Sequence, residues 1–343
     1  MGKKAVLLVN LGTPDSPSTA DVRTYLNEFL MDPRVIDINP ISRTLLVKGL
    51  ITPFRAPKSA KLYQAIWDKE TGSPLLHYSL LQQKALQLRL GDEYIVELAM
   101  RYQNPSIESA LNRLKAALVD DIQVIALFPQ YASASTGSVY DKVMELLLQW
   151  QTKPTISFVN SFHDNEGMIA TFADNALKYK PETYDHVLFS FHGLPQRQLI
   201  KADHTQQHCL KSADCCQTLT DVNKFCYSAQ SHHTAQLIAQ KLNIPKERYT
   251  ICFQSRLGND PWVQPYTSEI VAKLAKEGKK SLLVFCPAFV ADCLETVYEV
   301  TTEYGDEFKA LGGEKVQLVE SLNDSPIWID ALEKMVRENH VAA

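Results

Sequence analysis

A histidine at the end of an apolar run is the first residue whose type and setting could do chemistry. His192 follows Leu188–Phe191 and precedes Gly193, with Pro195 two residues further on. A buried strand that ends here would hold the ring rigidly, and an imidazole with a pKa of about 6.5 accepts and releases protons at neutral pH. A histidine that only caps the strand fits the same pattern, so the sequence leaves both roles open.

A stripe of carboxylates follows a second apolar run. Asp292 and Glu295 have the spacing of a capping box at the start of a helix, which is the structural interpretation. Glu299 and Glu303 continue the stripe at intervals of four residues. Like charges at this spacing cost roughly a few tenths of a kcal/mol per pair. The stripe is therefore either a solvated helix face or a path for cations or protons.

Four of the seven cysteines lie in one short segment, which we call the Cys-rich insert, residues 204–227. They are Cys209, Cys215, Cys216 and Cys226. An odd number of cysteines, four of them crowded in one segment, does not resemble a disulfide framework. In a reducing compartment such crowding indicates a metal site. Burial of four clustered thiols without a metal is the alternative.

The elements that must position these residues alternate along the chain. Strands are predicted at Ala5–Leu11, Ile122–Leu127, His186–Phe191 and Ser281–Cys286, and helices at Thr19–Leu30, Val139–Trp150 and from about Asp292. Apolar strands that alternate with helices are typical of parallel sheets in an α/β fold. The similar turns at 10–14 and 192–195 indicate one lobe used twice, with domains at 1–155 and 156–343. Ligands of such sheets bind at the carboxyl ends of the strands.

Composition excludes some classes of protein. The 343 residues carry 35 basic and 39 acidic side chains, so no basic excess indicates a nucleic acid partner. The apolar run after Met1 is too short for a signal peptide and breaks at Asn10. No stretch reaches the roughly 18 apolar residues of a membrane span. We therefore predict a cytoplasmic protein.

One apolar segment, residues 39–54, stands apart, and we call it the apolar lip. Its charged residues are Arg43 and Lys48. An amphipathic core helix is one interpretation. The other is an exposed surface that guides an apolar planar substrate or makes peripheral contact with the inner face of a membrane.

Several stretches, in order and over nearly the whole chain, resemble the ferrochelatase family. They are Asn10-Leu11-Gly12-Thr13-Pro14, Gly72-Ser73-Pro74-Leu75, Met100-Arg101-Tyr102, Phe128-Pro129-Gln130-Tyr131-Ala132-Ser133, Phe189-Ser190-Phe191-His192-Gly193, Phe253-Gln254-Ser255-Arg256, Pro261-Trp262 and Ala291-Asp292-Cys293-Leu294-Glu295-Thr296. The resemblance implies two similar Rossmann-like lobes with parallel sheets and a porphyrin cleft between them. It also implies ATP-independent insertion of Fe²⁺ into protoporphyrin IX, the terminal step of haem biosynthesis.

Carried over residue by residue, the resemblance assigns roles that suit this chemistry. Two pyrrole N–H protons must leave as the metal enters, which needs a base, and carboxylates and imidazole are suitable transient ligands for Fe²⁺. His192 matches the family's proton-abstracting or metal-contacting histidine and Glu295 its partner carboxylate, while Asp292, Glu299 and Glu303 match the acidic line behind them. The residues that match porphyrin-facing positions are Leu11, Arg101, Tyr102, Ser133 and Trp262. Tyr131 is a further candidate for the rim of the porphyrin site.

The Cys-rich insert resembles that of bacterial members with an internal [2Fe–2S] cluster. Four thiolates are the number that such a cluster needs. A zinc site that includes His204 or His208 is the rival. The chain ends at Ala343, without the C-terminal extension of animal members.

Other functions remain open at this stage. Related enzymes that act on coproporphyrin tend to have a tyrosine near Leu11, whose absence favours protoporphyrin. A cobalt chelatase of corrin precursors would share the lobes but is not expected to have Trp262 or Arg101-Tyr102. A haem-binding or iron–sulfur sensing protein is the non-enzyme alternative. The oligomeric state is not predicted.

Overall fold

The computed structural model describes residues 2–256, 258 and 260–339. Two compact units divide this chain. The first contains the described residues of Met1–Phe128, Ala132–Asn160 and Ile329–Ala343, and the second contains Pro129–Tyr131 and Ser161–Trp328.

These units differ from the domains predicted from the sequence, 1–155 and 156–343, chiefly at the C-terminus. Residues after Trp328 group with the first unit. Two ion pairs tie the C-terminal helix, Pro326–Asn339, to the rest of the first unit. They join Arg89 to Asp330 at 2.8 Å and Arg337 to Glu93 at 3.0 Å.

The first unit is built on a four-stranded parallel sheet. Its strands are β1 (Lys3–Gly12), β2 (Tyr94–Tyr102), β3 (Val119–Ala126) and β4 (Thr155–Val159), in the order β2-β1-β3-β4. Ala5 to Val9 of β1 are all fully buried, as expected for a strand covered on both faces. The strands predicted at Ala5–Leu11 and Ile122–Leu127 are confirmed within two or three residues at each end.

Helices and turns connect the strands of this sheet. They are α1 (Thr19–Met31), α2 (Pro40–Thr44), α3 (Thr52–Ile66), α4 (Pro74–Leu90), α5 (Ile107–Ala116) and α6 (Ser138–Leu147), with π-helices at Leu45–Ile51 and Ser133–Gly137 and a 3₁₀ turn at Gly91–Glu93. α5 and α6 bury their apolar faces against the sheet, with Leu111, Leu114, Val139 and Val143 in one cluster with β1 and β3.

The second unit repeats the design. Its strands are β5 (His186–His192), β6 (Tyr249–Gln254), β7 (Ser281–Phe285) and β8 (Lys315–Leu318), all parallel and in the order β6-β5-β7-β8. In both sheets the second strand pairs with the first, the third lies on the first strand's other side, and the fourth is outermost. The prediction of one lobe used twice is confirmed, and the fold is α/β with two Rossmann-like lobes.

The remaining helices belong to the second unit, except that α12 passes into the first unit after Trp328. They are α7 (Glu166–Leu177), α8 (Gln196–Ala202), α9 (Tyr227–Lys241), α10 (Thr267–Lys276), α11 (Gly305–Ala310) and α12 (Pro326–Asn339), with a π-helix at Glu295–Tyr304 and 3₁₀ turns at Pro181–Thr183 and Lys246–Arg248. The helix predicted from about Asp292 is confirmed within three residues, and it is a π-helix that begins at Glu295.

The apolar lip is exposed. It comprises α2, the π-helix Leu45–Ile51 and the start of α3, where Ile41, Leu45, Leu50 and Phe54 are 58–73% exposed. Val47 alone among its large apolar residues is fully buried. The core-helix interpretation of this segment was therefore wrong. Among the described residues, the structure has no helix with the length and apolarity that a membrane span requires.

Candidate active site

Equivalent glycines stand where the first strand of each sheet ends. A Cβ on Gly12, at a φ of 118°, would lie 2.0 Å from the carbonyl oxygen of Tyr102 in β2. A Cβ on Gly193, directly after β5, would lie 2.7 Å from the carbonyl oxygen of Gln254 in β6. Only glycine allows the backbones of neighbouring strands to approach so closely. Each sheet thus ends on a tightly packed turn at its carboxyl edge.

His192 is the last residue of β5 and is half-buried. Its Nδ1 lies 2.7 Å from the carbonyl oxygen of Gly193. A carbonyl oxygen only accepts hydrogen bonds, so Nδ1 carries the proton of the neutral ring and Nε2 keeps its lone pair. The hydroxyl of Tyr227, at the start of α9, donates to the backbone carbonyl of His192 at 2.8 Å. The strand and α9 therefore fix the backbone of His192, and the Gly193 carbonyl selects the tautomer of its ring.

Trp262 packs on the turn that follows His192. Its ring carbon Cε3 would be 3.1 Å from a Cβ on Gly193, and Val263 donates its N–H to the carbonyl of Leu194 at 2.9 Å. The Trp262 side chain is 9% exposed, and within the described residues its buried indole Nε1 has no hydrogen-bond partner. This donor is therefore unsatisfied among the described residues.

Gln254 connects the strand end to the acidic stripe. It lies opposite His192 in the register of β5 and β6. Its Nε2 donates to the Glu295 backbone carbonyl at 3.2 Å and to Glu299 Oε2 at 3.1 Å, and its Oε1 accepts from Ser190 at 2.6 Å. The resemblance included Gln254 in a motif, but no sequence argument gave it this role.

Glu299 is held by three donors. Gln254 Nε2 and Ser255 Oγ donate to Oε2, the latter at 2.8 Å, and the Tyr304 hydroxyl donates to Oε1 at 2.8 Å. Ser255 adopts a φ of 65° to reach it, a left-handed conformation that costs a non-glycine residue about 1–3 kcal/mol. Burial and the charge of Glu299 raise the pKa of Tyr304, which therefore stays a donor. The carboxylate is fixed in place on the inner side of the π-helix.

The other carboxylates of the stripe differ in exposure. Glu295 is half-buried in the first turn of the π-helix, and Glu303 is exposed near its end. Partial desolvation and the neighbouring charge of Glu299 raise the pKa of Glu303.

Asp292 does not form the capping box with Glu295. The π-helix starts after Leu294 without a side-chain cap. The Asp292 carboxylate is buried, and it accepts hydrogen bonds from Thr296 Oγ1 at 3.0 Å, the Ser321 N–H at 3.2 Å and Asn323 Nδ2 at 2.8 Å. These bonds tie the first turn of the π-helix to the segment that follows β8.

Arg101 and Tyr102 end β2 in the first unit and bind one buried carboxylate. Arg101 Nη2 lies 2.6 Å from Asp32 Oδ2, and the Tyr102 hydroxyl lies 2.9 Å from the same oxygen. Arg101 Nε also donates to Ser138 Oγ at 2.7 Å. Tyr102 is fully buried, and burial raises its pKa. The structure therefore presents no surface of Tyr102 to a ligand, unlike the predicted porphyrin-facing position, and it gives the residue a supporting role.

The remaining predicted porphyrin positions are partly accessible. Leu11 is half-buried at the end of β1. Ser133 opens a π-helix and accepts from Arg34 Nη1 at 2.7 Å. Tyr131 is half-buried, and its N–H donates to Gln230 Oε1 at 2.7 Å. Arg34 and Gln230 were not found by sequence reasoning, which had no signal for them.

The Cys-rich insert brings its thiols together without a disulfide. Cys216 Sγ lies 3.4 Å from Cys215 Sγ and 4.0 Å from Cys226 Sγ. Cys226 precedes α9, and bonding from Cys216, with backbone N–H groups of that helix, lowers its pKa to about 6. Burial raises the pKa of Cys209 to about 12. Cys209, Cys216 and Cys226 line one cavity.

The two histidines of the insert have contacts of their own. His208 Nε2 lies 2.9 Å from the backbone carbonyl of Cys215, so it donates there and is not a free ligand atom. The His204 ring packs edge-on near Phe225, with centroids 6.5 Å apart.

The sequence of this chain is similar to those of known proteins. The sequence model of the ferrochelatase family matches residues 3–340. The ferrochelatase of Legionella pneumophila (strain Lens) is 43% identical over 98% of this chain and 99% of its own length, and that of Coxiella burnetii (strain Dugway 5J108-111) is 41% identical over 98% and 94%.

Solved structures show the same fold at low identity. The sirohydrochlorin chelatase SirB from Bacillus subtilis subspecies spizizenii, in complex with cobalt, has a TM-score of 0.55 at 11% identity, over 98% of this chain and 94% of SirB. SirB from Bacillus subtilis with Fe³⁺ has a TM-score of 0.51 at 13% identity, over 98% and 95%. With two curated relatives above 40% identity over almost their full lengths, this chain belongs to the ferrochelatase family.

Proposed function

We propose that this chain inserts Fe²⁺ into protoporphyrin IX to form protohaem, with His192 as the base. As a ferrochelatase it is a lyase that inserts ferrous iron into a porphyrin in haem biosynthesis. The choice of protoporphyrin over coproporphyrin is the finer proposal. Its support is the family resemblance, since this chain lacks the tyrosine that enzymes acting on coproporphyrin tend to have near Leu11.

The observation that carries the role of His192 is its fixed tautomer. Because Nδ1 donates to the Gly193 carbonyl, the lone pair of Nε2 is available to take a pyrrole proton. The Tyr227 hydroxyl holds the backbone of His192 in place, and the bond from Nδ1 to Gly193 orients the ring.

We assign the acidic π-helix to ion and proton handling. Glu295, in its first turn, is the partner carboxylate of His192, and Glu299 and Glu303 continue the line toward the exposed end of the helix. Carboxylates bind Fe²⁺ as hard oxygen ligands and exchange it readily, which suits a substrate ion. The three donors on Glu299 offset the cost of keeping several negative charges on one helix.

Asp292 acts as a positioning residue in this proposal. Its oxygens are occupied by Thr296, Ser321 and Asn323, so it orients the start of the π-helix. The porphyrin-facing roles of Leu11, Arg101, Tyr131, Ser133 and Trp262 stay predictions of the family resemblance.

We further propose that the Cys-rich insert holds a [2Fe–2S] cluster through Cys209, Cys215, Cys216 and Cys226. Tetrahedral zinc with bonds of about 2.3 Å to sulfur would need its thiolates roughly 3.8 Å apart in every pair. Among the described residues, no three of these thiols lie within 4.8 Å of one another. The longer spread of the four thiols favours a two-iron cluster over zinc. When bound, a cluster of this kind supplies a one-electron redox centre.

The apolar lip is proposed to contact the surface of a membrane. Its four exposed apolar side chains lie beside Lys48 and Arg55, which are also exposed. Apolar insertion with flanking basic charge is typical of peripheral binding to anionic lipid.

An anaerobic assay of the purified protein tests the substrate. Fe²⁺ would be supplied with protoporphyrin IX, with coproporphyrin III, or with a corrin precursor and Co²⁺ in its place. We expect kcat/KM for protoporphyrin to exceed that for coproporphyrin by at least about tenfold, as shape discrimination at a ring edge allows. Preference for coproporphyrin, or turnover of the corrin precursor alone, would contradict the proposal. The absorbance spectrum and the acid-labile sulfide content of the same preparation test the cluster, and a colourless, sulfide-free protein would count against it.

A further inference from the structure

A second cluster of potential metal ligands lies away from the acidic π-helix. His163 and Asp164 belong to the segment that precedes α7, and His233 lies on α9. One ligand atom from each of the three falls within 4.8 Å of the others. None of these residues has a role in the proposed insertion of iron into porphyrin.

The two imidazoles already face one another. His163 Nε2 and His233 Nδ1 are 3.2 Å apart. Two nitrogens bound to one tetrahedral ion at about 2.0–2.1 Å lie roughly 3.3 Å apart, so the rings need little movement to share a metal. Asp164 is exposed and adds a charged oxygen at the open side of the pair.

The backbone around the pair is held in place. Thr234 Oγ1, next to His233, donates to the backbone carbonyl of His163 at 2.6 Å. Ser161 Oγ lies 3.5 Å from His163 Nδ1, where it can accept the remaining ring proton. A partner on the second ring nitrogen is the usual way to orient a ligating histidine.

We propose that His163 Nε2, His233 Nδ1 and a carboxylate oxygen of Asp164 bind one divalent first-row transition metal ion, of the Fe²⁺, Co²⁺ and Zn²⁺ class. Two imidazoles and one carboxylate suit these ions, whereas Mg²⁺ and Ca²⁺ prefer sites made of oxygen. Three protein ligands leave positions for water, so the site exchanges its ion with solvent.

This site is separate from the site at His192 where iron enters the porphyrin in the proposed function. α9 connects them, since Tyr227 at its start binds the His192 carbonyl and His233 follows six residues later. At a rise of 1.5 Å per residue this separation is about 9 Å along the helix. The two sites share no ligand, so an ion at one does not occupy the other.

Protection of His233 from diethyl pyrocarbonate tests the proposal without porphyrin, and thus independently of the proposed function. The probe is Zn²⁺, titrated into the purified protein, with modification of each histidine followed by mass spectrometry. We expect saturable protection of His233 and none of His232, whose Nδ1 is bound to the Ser228 carbonyl. Unchanged reactivity of His233 at saturating Zn²⁺ would overturn the proposal.

Substitutions supply matched controls. Asp164→Asn is expected to weaken the protection at least about tenfold. Asp174→Asn changes an exposed acid on α7, outside the proposed site, and is expected to leave the protection unchanged. His233→Gln is expected to remove one equivalent of bound Zn²⁺, whereas His232→Gln on the same helix retains it. Equal affinity in Asp164→Asn and the wild type, or equal stoichiometry in the two glutamine variants, would contradict a site at these residues.

Discussion

At the scale of single residues, the candidate active site depends on contacts to backbone carbonyls. The Gly193 carbonyl sets the tautomer of His192, and Tyr227 holds the carbonyl of His192 itself. Gln254 then connects the strand end to Glu299. Sequence reasoning identified His192 because a histidine after a buried strand is conspicuous. It gave no role to Gln254, because an uncharged side chain at a strand end carries no chemical signal.

Replacing Gly193 with alanine tests the tight turn beside His192. The added Cβ would lie 2.7 Å from the Gln254 carbonyl oxygen, which is backbone and cannot move aside without shifting β6. We expect the free energy of unfolding to fall by about 1–3 kcal/mol, measured by urea denaturation, and turnover to fall as the imidazole is displaced.

Gly49→Ala is the control for this substitution. A Cβ there meets no atom within 4 Å, so we expect unfolding free energy to be unchanged or to rise by up to about 1 kcal/mol. Equal stability of the two alanine variants would contradict the packing assigned to Gly193.

At the scale of elements, the π-helix Glu295–Tyr304 is the feature that the sequence could not predict. Carboxylates at intervals of four fit an ordinary α-helix equally well. The wider π-helical turn coincides with contacts from elsewhere in the chain, namely Gln254 and Ser255 on Glu299 and the bonds of Asp292 to Ser321 and Asn323. π-helical turns are uncommon and often occur at functional sites. The first and third strands of each sheet, in contrast, were predicted because their continuous apolar runs require burial on both faces.

The apolar lip allows a prediction at the same scale. Leu50→Asp with Phe54→Asp changes side chains that are 58% and 69% exposed, so we expect the melting temperature to stay within a few degrees of wild type. Binding to vesicles containing anionic lipid, measured by co-sedimentation, should fall by at least about tenfold. Undiminished vesicle binding would remove the membrane role of this segment.

At the scale of the whole molecule, the chain repeats one topology in two sheets with the same strand order. The repeat was predictable because each half opens with an apolar strand that ends in a glycine turn. The grouping of α12 with the first unit was not predictable, since it depends on contacts such as Arg337 with Glu93, far apart in the sequence.

Buried histidines make the stability of the fold depend on pH. Burial lowers the pKa of His186, and also of His163 and His232. In the unfolded chain these rings take up protons below about pH 6.5, whereas the folded state does not. The unfolded state then binds more protons, so the free energy of unfolding falls as the pH drops below that value.

His186→Gln should make this fall shallower. The glutamine amide can keep a hydrogen bond to Thr250, which lies 2.9 Å from His186 Nε2. Urea midpoints at about pH 7.5 and about pH 5.5 measure the change on either side of the histidine range. An identical pH dependence in wild type and variant would show that His186 does not contribute.

The central claim is that His192 Nε2 receives the proton that a pyrrole nitrogen loses. The most direct test measures porphyrin binding and Fe²⁺ insertion separately in His192→Ala, by fluorescence titration and by anaerobic single-turnover absorbance. We expect porphyrin affinity within a few-fold of wild type and an insertion rate lower by about 10²–10⁴, the usual loss when a general base is removed. An insertion rate equal to that of wild type, with porphyrin bound, would contradict the account.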